Sequence, residues 1–168
     1  MDDAALPHPK ILHGQALRER LAALRATGTR LVCTNGCYDI LHPGHADLLY
    51  RARLLGDALL VAVNDDASVR RQGKGPSRPI NPLGVRMYMM AQLGCVDLVT
   101  SFSEATPLEC IQLARPQVLV KGGDWPLEKI VGREFVEADG GRVYSLPLLP
   151  GYSTTKLIER IRQGDPLR

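Results

Sequence analysis

No apolar run in these 168 residues is long enough to span a bilayer, so no membrane role is expected. The start, Met1-Asp2-Asp3-Ala4, is acidic and leads into no apolar core, so no export signal is expected and the cytoplasm is the expected compartment. Lys and Arg outnumber Asp and Glu by only 21 to 18, without a dense basic stripe, so anionic small ligands are favoured and a nucleic-acid partner is not. The four cysteines, Cys33, Cys37, Cys95 and Cys110, lack a second Cys/His pair at zinc spacing and read as small buried residues in a reducing compartment; no protein-held metal is expected. Repeats, low-complexity tracts and an interdomain linker are also missing. Residues 1–13, with Pro7 and Pro9, read as an arm, and residues 14–168 as a single domain with a full core.

What is present is alternation. Leu17, Leu21 and Leu24 have helical spacing, ending near Gly28. Leu31-Val32-Cys33 reads as a buried strand closed by an Asn35-Gly36 turn, and Leu48, Leu49, Ala52 and Leu55 mark a helix from Pro43 toward Gly56. Further strands are expected at 58–63, 96–99, 118–120 and 142–146. Further helices are expected just after Asp66 and at 82–93, 106–114, 127–138 and 153–163. Residues 70–79, basic and rich in Gly and Pro, read as a mobile loop. Strands alternating with helices predict an α/β fold, a Rossmann-like three-layer sandwich around a central parallel sheet. In such sheets ligands bind beyond the strand C-termini, and every chemically suggestive segment here follows a strand.

The first such segment is Asn35-Gly36-Cys37-Tyr38-Asp39-Ile40-Leu41-His42-Pro43-Gly44-His45. Pro43 suits the first helical position, which puts His42 and His45 on one face of the first turn. A helix start attracts anions, and two imidazoles there make a phosphate site able to act on what it holds. That points to phosphoryl or nucleotidyl transfer. Gly151-Tyr152-Ser153-Thr154-Thr155 opens the last helix with more hydroxyls than an N-cap needs, which suits a polyphosphate tail. Lys74, between two glycines, reads as a clamp closing over phosphates, and Arg86 as a grip on the second substrate's phosphate, with Arg78 a weaker candidate. Lys121-Gly122-Gly123-Asp124-Trp125 is either a turn with a buried tryptophan or a place where backbone approaches a base or ribose. Asp39, Asp65 and Asp66 are candidate sugar or Mg²⁺ contacts, though turn and capping roles explain them equally well. The Met87-Met89-Met90 cluster suits core or interface.

The two outer motifs, Asn35 to His45 and Gly151 to Thr155, resemble the cytidylyltransferase-like nucleotidyltransferase superfamily. Val61 to Arg71, Arg78-Pro79-Ile80-Asn81-Pro82 and Val118 to Trp125 resemble its ADP-heptose synthases, the heptose 1-phosphate adenylyltransferases. The similarity runs from about residue 12 to 162. Glycerol-3-phosphate cytidylyltransferases carry Arg-Thr-Glu where this chain has Leu148-Leu149-Pro150, which favours adenylyl over cytidylyl transfer.

The resemblance implies an enzyme that moves AMP from ATP to D-glycero-D-manno-heptose 1-phosphate, giving ADP-heptose and pyrophosphate for lipopolysaccharide core synthesis. His42, His45 and Lys74 would be the catalytic residues, the histidines at the α-phosphate and Lys74 closing over the phosphates from its loop. Asn35, Gly36, Cys37, Tyr38, Gly44, Lys121, Gly123, Asp124, Trp125, Ser153, Thr154 and Thr155 would bind nucleotide. Asp39, Asp66, Arg78 and Arg86 would bind the acceptor, and Mg²⁺ would arrive with ATP. A homodimer or higher homo-oligomer is implied, as is a separate upstream heptose kinase, which this chain is too short to contain. A related transferase using CTP and a polyol phosphate or ATP and a flavin phosphate, and a non-catalytic nucleotide sensor, are the other readings.

Overall fold

The computed structural model describes residues 6–73, 75 and 77–164, so Lys74 lies outside the described residues. In chain order the elements are α1 (Gly14–Ala26), β1 (Leu31–Gly36), α2 (Pro43–Arg53), β2 (Ala58–Asn64), α3 (Asp66–Arg71), α4 (Leu83–Ala91), β3 (Leu98–Phe102), α5 (Leu108–Ala114), β4 (Val118–Gly122), a 3₁₀ turn (Leu127–Lys129), α6 (Arg133–Ala138), β5 (Arg142–Leu146) and α7 (Thr154–Gln163). The five strands form one sheet in the order β3-β2-β1-β4-β5, every pair parallel. The chain therefore works outward from β1 to β3, then returns to the other side of β1, and the strand order reverses between β1 and β4. The crevice past the ends of those two strands is where an open α/β sheet binds its ligand.

The strands are apolar on both faces because both faces are covered. Val32, Leu59, Val61, Val63, Val99, Val118 and Val120 pack on one side with Leu48, Leu49 and Ala52 of α2 and Met87, Met90 and Ala91 of α4. The alternate residues Leu31, Cys33, Leu60, Leu98 and Leu119 pack on the other with Leu17, Leu21 and Leu24 of α1, Ile111 of α5 and Val136 of α6. This is the expected three-layer α/β sandwich. Met87 and Met90 are core, while Met89 is exposed.

Four local expectations change. Asn35 and Gly36 are the last two residues of β1, so the turn begins at Cys37. β3 starts two residues later than Val96. The segment expected as one helix over 127–138 is a 3₁₀ turn and a separate α6, split at Gly132, whose φ of 87° breaks the helical path. Part of the N-terminal arm is not detached: Val99 N–H donates to Lys10 O at 2.8 Å and Leu12 N–H to Val99 O at 2.9 Å, covering the outer edge of β3.

Candidate active site

β1 delivers Asn35 and Gly36 to the crevice, and the loop after it leads into α2. His42 is the N-cap residue with extended backbone, Pro43 occupies the first turn, and His45 N–H donates to His42 O at 2.9 Å. The spacing therefore stacks the two imidazoles, with ring centroids 3.7 Å apart and planes 18° from parallel. Tyr152 extends the stack beyond His42 at 6.5 Å, and the buried Tyr38 meets His45 edge-on at 5.3 Å. Gly44 permits this closeness, since a Cβ there would lie 3.1 Å from His42 Nδ1 and 3.4 Å from Tyr152 Cβ. Burial pushes the His42 imidazole below its ordinary value, which favours the uncharged ring. Its buried Nδ1 has no hydrogen-bond partner among the described residues. An incoming phosphate would supply the missing charge and pull the ring toward the protonated, donating form.

The opposite wall is the start of α7. Ser153 is its N-cap, accepting from Lys156 N–H at 3.1 Å, which leaves its own O–H to donate elsewhere. Thr154 Oγ1 reaches Ile40 O at 3.5 Å, tying this wall to the loop that carries the histidines. The first turn holds no acidic residue, so nothing opposes an anion at the positive end of the helix.

The floor comes from β4. Gly122 has no room for a side chain, since a Cβ would sit 2.4 Å from Leu48 Cδ2 and 3.1 Å from Leu148 Cδ2. Beyond it, Gly123 takes φ 114° and Trp125 N–H donates to Ser145 Oγ at 2.9 Å, which pins the turn to β5. Trp125 is 48% exposed, so the buried-tryptophan reading fails; the indole stands at the mouth, with Lys121 Nζ 5.8 Å from its ring centroid.

These walls enclose about 320 Å³. Of the residues singled out in the sequence, Asn35, Gly36, Cys37, Tyr38, Asp39, His42, His45, Arg78, Lys121, Trp125, Ser153, Thr154 and Thr155 line it. Gly44 and Gly123 shape it from behind, and Asp124 is exposed outside it. Leu48, Gly122, Leu148 and Tyr152 also line it. Leu48 follows His45 by one helical step, which is the sequence signal that would have found it. A larger hollow of about 840 Å³ at the C-terminal end of β3 contains neither histidine and none of the three hydroxyls.

The expected acceptor-binding group is arranged differently. Asp39 is fully buried and accepts from the Arg78 guanidinium and from the backbone N–H groups of Ile80 (2.8 Å) and Asn81 (2.9 Å). Asp65 caps α3, accepting from Ser68 N–H at 2.6 Å. Asp66 pairs with Arg86 at 2.6 Å, and the Arg86 side chain has no exposed surface at all. Asp66 and Arg86 do not line the cleft, so in place of the direct phosphate grip expected of it the sealed Arg86 guanidinium pairs with the partly exposed Asp66. The reason is cost: a sealed guanidinium must find partners, and it has found protein ones. Among the described residues no three His, Cys, Asp or Glu side chains are grouped to hold a metal ion.

Comparison with known proteins agrees with this geometry. Residues 33–160 match the family described as cytidylyltransferase-like. The chain is 50% identical over 152 residues to the bifunctional protein HldE of Trichlorobacter lovleyi, covering 90% of this chain and 31% of that protein. It is 56% identical over 138 residues to the bifunctional protein HldE of Halorhodospira halophila, covering 82% of this chain and 29% of that one. It thus spans about a third of the length of these curated relatives. A crystal structure of the lipopolysaccharide core biosynthesis protein from Thermoplasma volcanium superposes with a TM-score of 0.60 at 26% identity, covering 73% of this chain and 98% of the other. With a parallel sheet switching direction at β1 and β4, a stacked histidine pair at that point, and a sequence match over most of its length, this chain belongs to the cytidylyltransferase-like family.

Proposed function

We propose that this chain transfers AMP from ATP to D-glycero-D-manno-heptose 1-phosphate, giving ADP-heptose and pyrophosphate. As a member of its family it is a nucleotidyltransferase. The observation that carries the reaction type is the stacked His42–His45 pair facing the start of α7 across one cleft. The choice of acceptor is supported by identity of about 50% to bifunctional HldE proteins and by the likeness to a lipopolysaccharide core biosynthesis protein.

An oxygen of the sugar phosphate attacks the α-phosphorus in line. The bond from that phosphorus to the bridging oxygen of the β-phosphate breaks, and pyrophosphate leaves. The attacking oxygen is already anionic, so neither a strong base nor a protein nucleophile is needed, and catalysis is positioning plus charge stabilisation. His42 and His45 donate to the oxygens of the α-phosphate and the bridge as charge builds there. Ser153, Thr154, Thr155 and the α7 amides hold the β- and γ-phosphates. Trp125 and Lys121 take the nucleoside end. Mg²⁺ enters as part of the ATP substrate, carried by the phosphates, because the buried Asp39 carboxylate is already committed to protein donors.

The same reading makes the enzyme a cytoplasmic homodimer or higher oligomer, fed by a kinase activity that makes the sugar phosphate. No described helix is long and apolar enough to cross a membrane. The test is pyrophosphate release across ATP, CTP, GTP and UTP against heptose 1-phosphate, glycerol 3-phosphate and FMN. ATP with heptose 1-phosphate is expected to stand alone. Faster release with CTP, or with another acceptor, overturns the assignment.

A further inference from the structure

We propose that Arg86 is a positioning residue for this reaction, holding the left-handed turn at Tyr38 and, through it, the ring of His45, without touching either substrate. The inference rests on the adenylyl-transfer reading above.

Tyr38 has φ 49°, a conformation that a residue with a bulky ring keeps only where its surroundings hold it. Its ring is 4% exposed, lies edge-on to His45 at 5.3 Å, and covers Gly36, where a Cβ would be 3.0 Å from the ring. Where that turn points, the ring points, and His45 leans on the ring.

Arg86 holds the turn at the peptide that enters it. Nη1 donates to Cys37 O at 2.6 Å, the carbonyl of the peptide leading into Tyr38. Nε donates to Asn81 O at 3.0 Å and Nη2 to Asp66 Oδ1 at 2.6 Å, so one planar fork joins the β1–α2 loop, the 78–81 loop and α3. Asn81 closes the circuit by donating its N–H to Asp39, next to Tyr38. A guanidinium with no exposed surface and three acceptors on three segments reaches no ligand in the cleft; its effect on one runs through Tyr38 and His45.

The test compares Arg86→Gln and Arg86→Lys with the unaltered chain in steady-state pyrophosphate release, thermal melting and ¹⁵N-resolved NMR of the histidine rings without substrate. Displacing a donor by about 1 Å costs on the order of 10²-fold, so kcat should fall about 30- to 100-fold in both variants, with both KM values within about threefold. Arg86→Lys should recover melting temperature relative to Arg86→Gln but not kcat, because an ammonium cannot hold three acceptors in a fork. The His45 ring resonances should move in both variants while those of His8 and His13 stay.

A KM for the sugar phosphate raised about tenfold or more with kcat preserved would make Arg86 an acceptor-binding residue and overturn the proposal. So would unmoved His45 resonances, or a kcat that simply tracks melting temperature. Should neither Arg86 variant fold, Asp66→Asn removes the charge that orients the fork and should still lower kcat about three- to tenfold; unaltered kcat there overturns it. An unaltered chain that releases no pyrophosphate from any pair sinks the proposed function instead, and the His45 resonances then decide the role of Arg86 alone.

Discussion

His42, His45, Lys121 and Ser153 line the cleft half-buried, whereas Asp39 and Arg78, at its edge, and Arg86, outside its lining, are buried and are held in ion pairs, Asp39 with Arg78 and Arg86 with Asp66. The two groups use overlapping chemistry for different ends. In the cleft, polar side chains stay open to solvent and to whatever enters. Among the braced residues, Asp39, Arg78 and Arg86 are removed from water, so each must be matched within the protein. Burial, more than residue type, divides binding groups from bracing groups here.

The comparison breaks first, and most severely, at Asp39. Asp39→Ala leaves Arg78 buried without its carboxylate and strips the acceptor from two backbone N–H groups, so stability should fall by about 3–5 kcal/mol, read by denaturant unfolding. A loss below about 1 kcal/mol would mean the buried layer is not a brace. His45→Ala tests the cleft group. Losing one preorganised charge-stabilising donor typically costs ~10²–10³ in kcat, with the fold intact by circular dichroism. Near-normal turnover would remove the histidines from the chemistry. Trp125→Ala sharpens the nucleoside end with a smaller effect. Base stacking on an aromatic ring contributes ~1–3 kcal/mol, so KM for ATP should rise about tenfold while kcat holds. An unchanged KM would place the base elsewhere in the cleft.

Much of the cleft was legible along the chain because its signals are local. Pro43 between two histidines three residues apart already implies a helix start with both rings on one face, and the structure stacks them. Gly151 to Thr155 implied a capped helix start, and Ser153 is that cap. Leu148 was read only through what it lacked, yet it lines the cleft beside Gly122. The buried layer was not legible. Arg78 and Asp39 are 39 residues apart and Arg86 and Asp66 20 apart, so no periodicity links them. An arginine after a Gly/Pro-rich loop looks the same in a sequence whether it faces phosphate or a buried aspartate.

The sequence by itself determined the parallel α/β layering and the helix starts at Pro43 and Thr154. Those follow from hydrophobic period, proline and capping chemistry, each acting within a few residues. The strand order β3-β2-β1-β4-β5 is a property of the tertiary structure. So is the meeting of β1, β4 and α7 at one crevice, and the sealing of Arg86 against Cys37, Asn81 and Asp66. Those depend on which segments distant in sequence end side by side, and a charge's role is set by whether that packing leaves it in water or takes it out.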